Sequence, residues 1–220
     1  MNDDLADLSD NLEFDFADLP ESYYAAQAEQ KQKTRATKTQ SRIHARRAKA
    51  EATLDEILPQ QIQPGDSWHV MSSGDIDSLS YLNHIVKNSV LDYCLFSTWC
   101  MAMPDILQFK QWLETGRIKH LDAYVGEIFP GQYADEYATL VEITQRHGGR
   151  TAVFKNHSKV FVCKAPGLDI TIESSANINT NPRTENTVIT HDAGLTEHHK
   201  TYFDGIKGFN KEFSTWTPHK

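Results

Sequence analysis

The chain predicts an α/β domain, a mixed β-sheet flanked by helices on both faces, preceded by a charged N-terminal extension. Three observations carry that expectation. From residue 66 onward, apolar runs of strand length alternate with stretches whose apolar residues recur at helical spacing, the order of a layered α/β domain. Val90 to Trp99 is a continuous apolar run, as in a strand buried in the middle of a sheet. Val160 to Cys163 and Leu168 to Glu173 flank Ala165-Pro166-Gly167, a turn-forming triplet that predicts a hairpin.

The remaining elements follow in chain order. Leu54 to Ile62, ending in Pro64-Gly65, reads as a linker into the domain. Asp75 opens a helix through Asn88, with Ile76, Leu79, Leu82, Ile85 and Val86 on one stripe and Ser73 or Asp75 as the cap. Pro104 starts a second helix, Asp105 to Glu114, that Gly116 stops. Ile118 to Val125 predicts a strand, Tyr133 to Arg146 a helix ended by Gly148-Gly149, and Thr151 to Phe154 another strand. Thr187 to Thr190 is the last strand and Leu195 to Ile206 the closing helix. No internal repeat is visible.

The first 65 residues differ in character. Residues 1 to 29 hold nine acids and no Lys or Arg, whereas residues 31 to 50 hold eight bases and no acid. The remainder carries 14 bases against 21 acids, so the basic segment is the strongly cationic part of a chain whose net charge is −8. Such blocks read as a disordered leader followed by a segment able to become helical. Two readings stand side by side: a nucleic-acid-binding arm with which the acidic leader competes, or a solvated connector without a partner.

Composition excludes other classes. No apolar stretch approaches the roughly 20 residues that span a bilayer, and Met1-Asn2-Asp3-Asp4 is acidic where a signal peptide is basic, so a cytoplasmic location without membrane attachment is expected. Cys94, Cys100 and Cys163 are odd in number and lie in or beside apolar runs, which predicts buried free thiols. No Cys/His group has zinc spacing, and the adjacent His198 and His199 point apart on a helix.

The chemistry-bearing residues come in order. His157 and Lys159 lie two apart at the start of an apolar run, so strand alternation points both to one face. Glu173-Ser174-Ser175-Ala176-Asn177 follows, then Arg183-Thr184-Glu185-Asn186. Together these residues carry a resemblance to the phospholipase D-like superfamily, and to its single-copy nuclease-type branch, over about residues 66 to 210. The signature is H-x-K, a short strand, a G/S-S-x-N turn and an E-N pair, matched at His157, Lys159, Ser175, Asn177 and Glu185. The usual Asp beyond the H-x-K triplet is Lys164 here, with Asp169 nearby to do similar structural work, and the usual Gly before the Ser is Ser174.

The resemblance implies a phospholipase D-like fold and a metal-independent phosphodiesterase, with no cofactor. His157 would attack phosphorus and form a phosphohistidine, and a second His157 from an identical chain would protonate the leaving oxygen and then activate water. Lys159 would neutralise the phosphoryl oxygens, with Ser174, Ser175 and Asn177 around them, and Glu185 would fix the imidazole tautomer. The basic arm and the single copy favour a nuclease acting on DNA or RNA as a homodimer. The rival is a non-catalytic module that keeps the phosphate pocket to hold a nucleic-acid end, for which Lys164 leaves room. Phospholipid turnover would call for a membrane-binding stretch that the sequence lacks. Ser97 reads as a possible pocket residue, Trp99 as core, His191 as surface, and the run Asn177 to Pro182 as a turn-rich loop.

Overall fold

A computed structural model of the chain describes residues 42–178, 183–210 and 216–220. The leader and most of the basic segment, with residues 179–182, lie outside the described residues. Residues Ser41–Lys220 form one compact unit.

The elements run α1 (Arg42–Ile57), β1 (Ser67–Ser72), α2 (Ser78–Asn88), β2 (Tyr93–Thr98), α3 (Met103–Glu114), β3 (Leu121–Gly126), a single turn α4 (Phe129–Gln132), α5 (Ala134–Arg146), β4 (Thr151–Phe154), β5 (Val160–Ala165), β6 (Leu168–Ser174), β7 (Glu185–His191) and α6 (Ala193–Asp204). They build a seven-stranded sheet in the order β1-β7-β6-β5-β2-β3-β4. β2, β3 and β4 pair in parallel, and every other neighbour is antiparallel. The sheet is therefore mixed, as the sequence predicts. Alternation along β2 divides the core: Cys94 and Phe96 join Phe109, Leu113, Ile143 and Phe161 on one face, while Tyr93 and Leu95 join Tyr124, Val162 and Phe203 of α6 on the other. Helices cover both faces. The predicted hairpin joins β5 and β6 across Pro166-Gly167, where Gly167 takes φ +74°, a left-handed conformation that glycine adopts without strain.

Two predictions are corrected. Leu54 to Ile62 is no linker: Ala50, Leu54, Leu58 and Ile62 are buried in the main core, one or two per turn along and just beyond α1. Edge strand β1, which the apolar pattern does not reveal, follows immediately. The cap of α2 is Asp77, whose Oδ1 accepts from Ser80 N at 2.8 Å, rather than Ser73 or Asp75.

Part of the basic segment is structural. Arg47 is buried and its Nη2 donates to Asp105 Oδ1 at 2.6 Å and reaches Asp77 Oδ2 at 3.4 Å. Asp105 Oδ2 accepts from Ala102 N at 2.9 Å, so one guanidinium ties the N-terminal ends of α2 and α3 together. Arg46 donates to the Gly74 carbonyl. Neither side chain is an open phosphate-binding cation.

Candidate functional site

Strand directions gather the candidate residues. In the parallel strands β2, β3 and β4 the carboxyl ends lie together, and antiparallel β5 and β7 start, and β6 finishes, at that same end. It is the end at which open α/β sheets hold ligands. His157 and Lys159 precede β5, Ser174 and Ser175 follow from β6, and Glu185 opens β7.

His157 is not on a strand, contrary to the alternation argument; β5 begins at Val160, and His157 sits exposed in the connection from β4. It meets Lys159 all the same. Lys159 Nζ lies 2.9 Å from His157 Nδ1 and 3.3 Å from Nε2, and donates to the His157 carbonyl at 2.6 Å. Ammonium groups only donate, so the nitrogen that Lys159 meets presents a lone pair. Lys159 is 8 % exposed. That burial pulls its pKa below the ordinary lysine value, against the opposing influence of Cys100 and Glu185.

The connection is held by residues that the motif does not include. Asn156 Nδ2 donates to Ser97 Oγ at 2.9 Å, Ser97 Oγ is 2.6 Å from Ser158 Oγ, and Ser158 Oγ donates to Asn156 Oδ1 at 2.7 Å. Each hydroxyl can donate once and accept once around this ring, so it closes on both neighbours of His157. Asn156 Nδ2 also faces the carbonyls of Thr98 at 3.2 Å and Tyr124 at 3.1 Å, and Oδ1 accepts from Ser158 N at 2.9 Å. Carbonyls cannot donate and an amide N–H cannot accept, which fixes the orientation of the Asn156 amide. Ser97 is thus a buried positioning residue rather than a pocket wall.

Trp99 is 36 % exposed, not core, and its ring lies 5.8 Å from that of His157. Gly126 permits this: a Cβ there would stand 2.7 Å from Trp99 Cδ1 and 3.0 Å from its carbonyl oxygen. Ser175 Oγ donates to Glu185 and accepts from Asn186 N at 3.0 Å. Glu185 accordingly accepts from Ser175, and no hydrogen bond joins it to His157 among the described residues; its charge acts on Lys159. Ser174 bridges to Thr187 Oγ1 at 2.8 Å and accepts from Ala176 N at 3.1 Å, which shapes the turn. Asn177 Oδ1 is buried without a hydrogen-bond partner among the described residues.

Elsewhere, Lys164 pairs with Asp169 at 3.7 Å and Glu197 at 3.2 Å at the far end of β5, away from His157. His191 is buried, with Nδ1 2.8 Å from the Ile62 carbonyl, not on the surface. All three cysteines are buried and outside any disulfide, as expected. Asn179, Asn181 and Pro182 lie outside the described residues. No helix among the described residues is long and apolar enough to cross a membrane.

No family model matches the chain, and no curated protein matches it significantly. Among solved structures the chain is similar to Nuc from Salmonella typhimurium, described as a phospholipase D family member, with TM-score 0.48 and 15 % identity over 63 % of this chain and 91 % of that one. It is similar to NucT from Helicobacter pylori, with TM-score 0.47 and 13 % identity over 63 % of this chain and 94 % of that one. A polyphosphate kinase from Porphyromonas gingivalis gives TM-score 0.48 and 13 % identity over 63 % of this chain, which spans only 25 % of the kinase.

Proposed function

We propose that the chain is a metal-independent phosphodiesterase of the phospholipase D-like kind, a nuclease working through a phosphohistidine, completed by a second copy of itself. One observation carries the reading: a buried ammonium stands 2.9 Å from an exposed imidazole at the carboxyl end of the sheet. A free cation in that position has a use when an anion arrives. The phosphoryl oxygens draw Lys159's donors away from His157, which releases the imidazole lone pair beside phosphorus. Attack forms the N–P bond as the P–O bond to the leaving group breaks, and the departing oxygen takes a proton from the second copy's imidazolium. That imidazole, now neutral, takes a proton from water as the water oxygen attacks phosphorus; the N–P bond breaks, the His157 imidazole leaves and the product is released.

Asn177, whose Oδ1 is buried without a hydrogen-bond partner among the described residues, is the amide this reading assigns to the phosphoryl oxygens. Glu185, oriented by Ser175, favours the charged form of Lys159 against the pull of burial. Labelled single- and double-stranded DNA and RNA, incubated with the purified chain in EDTA, test the reading. Cleavage by wild type and none by His157→Ala is the expected result. Cleavage that EDTA abolishes and magnesium or zinc restores would contradict it, and tight binding with no cleavage would favour the non-catalytic module.

A further inference from the structure

The connection that carries His157 also forms one wall of a cleft of about 390 Å³, whose other wall is α6. Its lining is aromatic and imidazole-rich. Phe154, Val160 and the buried Phe203 contribute apolar surface, and His198 and Tyr202 stand along the helix side. Tyr202 is 60 % exposed, and its ring contact among the described residues is perpendicular to Phe203, 5.3 Å between centroids, so much of the ring is open to solvent. Nothing in the packing of the sheet requires an open tyrosine there.

Charge narrows the occupant. Beyond residue 50 the chain carries 14 bases against 21 acids, and Lys155 is the one Lys or Arg that lines the cleft. At the cleft itself, release of counterions from phosphates therefore draws on few cations. A nucleic-acid strand held here must gain affinity elsewhere, and bases stacking on tyrosine and histidine rings are the available source. We infer that the α6 cleft is a nucleobase subsite, which seats the base next to the phosphodiester at His157 in a single strand; the inference rests on the nuclease reading above. The cleft's volume is in the range of small-ligand pockets, and it lies on one side of the His157 connection, so it grips the strand on one side of the reacting phosphate. Bases in a duplex are stacked and paired and cannot enter it, which makes single strands the preferred ligand.

The test measures binding in EDTA by fluorescence anisotropy, with His157→Ala as the background so that no strand is cut. The probes are a labelled single-stranded oligonucleotide and the same-length strand of abasic residues, which keeps every phosphate and loses every base. The base-bearing strand should bind roughly five-fold or more tightly, Tyr202→Ala should remove that difference, and Tyr202→Phe should preserve it. Equal affinity for the two strands, or a difference that Tyr202→Ala leaves intact, would overturn the subsite. Cleavage by the otherwise wild-type chain is scored separately: a chain that cuts abasic and base-bearing strands equally retains the nuclease reading without the subsite, and one that prefers bases but never cuts retains the subsite alone.

Discussion

Burying the Lys159 ammonium at 8 % exposure carries a desolvation cost, and its nearest partners are the Nδ1, Nε2 and carbonyl oxygen of His157 rather than a carboxylate. On the proposed reading, such a group serves a ligand at the expense of the fold. Lys159→Met, which keeps the stem and removes the charge, is expected to abolish phosphate binding and cleavage while the thermal midpoint equals or exceeds that of wild type. A midpoint several degrees lower, measured by calorimetry, would make the ammonium a structural tie instead. His157 and Lys159 were legible in the sequence because the motif spacing survives the loss of strand geometry. Asn156, Ser97 and Ser158 were not, since small polar residues beside a motif look like ordinary loop, and only the fold brings Ser97 across to close the ring. Trp99 misled for a related reason: an aromatic ending an apolar run suggests core, yet the strand stops at Thr98 and the ring emerges at the site.

At the scale of elements, strands and helices bounded by Pro, Gly or an apolar run came out within a few residues of their sequence-based limits. Edge strand β1 was hidden because it has one strand neighbour and shows solvent Trp68 and Met71, so no clean alternation marks it. Helix α1 was legible as a segment able to become helical, but its place in the core was hidden by its charge, since its buried apolar side chains among the described residues are Ala50 and Leu54 within a polar sequence. The opposite edge is closed by the C-terminal tail. Phe209 N donates to the Val153 carbonyl at 2.7 Å and Asn210 Nδ2 to the Thr151 carbonyl at 2.9 Å, which cover the outer side of β4. Farther on, Trp216 lies over the Arg150 guanidinium at 3.6 Å, and His219 packs against Tyr93 and His120 with centroids 5.1 and 4.4 Å away. Burial, then the neighbouring His120 and Lys200, holds the His219 pKa below 6.5, with Asp122 and Asp92 opposing. The unfolded tail binds a proton more readily than the docked one, so docking is strongest above about pH 6.5 and weakens as the pH falls below it. Amide exchange of residues 216–220 should therefore be faster at pH 5 than at pH 7.5 once corrected for intrinsic rates, and His219→Phe should remove the difference. Equal protection at both values in wild type would show that His219 is not the sensor.

For the whole molecule, the charge pattern located the basic segment but not its division of labour. Arg47 faces two buried carboxylates, so Arg47→Ala should destabilise the chain by about 3–5 kcal/mol, because Asp77 and Asp105 would be left without their counterion. Removing residues 1–41 should leave cooperative unfolding intact, while removing residues 1–52 takes away Arg47 and Ala50 and should lower the denaturation midpoint sharply. Similar midpoints for both truncations would contradict the structural role of α1. Above these details stands the claim that His157 is the nucleophile. The most direct measurement is mass spectrometry on the chain quenched in alkali, where phosphohistidine survives, during turnover of a slowly hydrolysed phosphodiester. The expected result is a phosphoryl adduct on the peptide containing His157, absent from His157→Ala. Steady turnover with no adduct, or an adduct on another residue, would contradict the account.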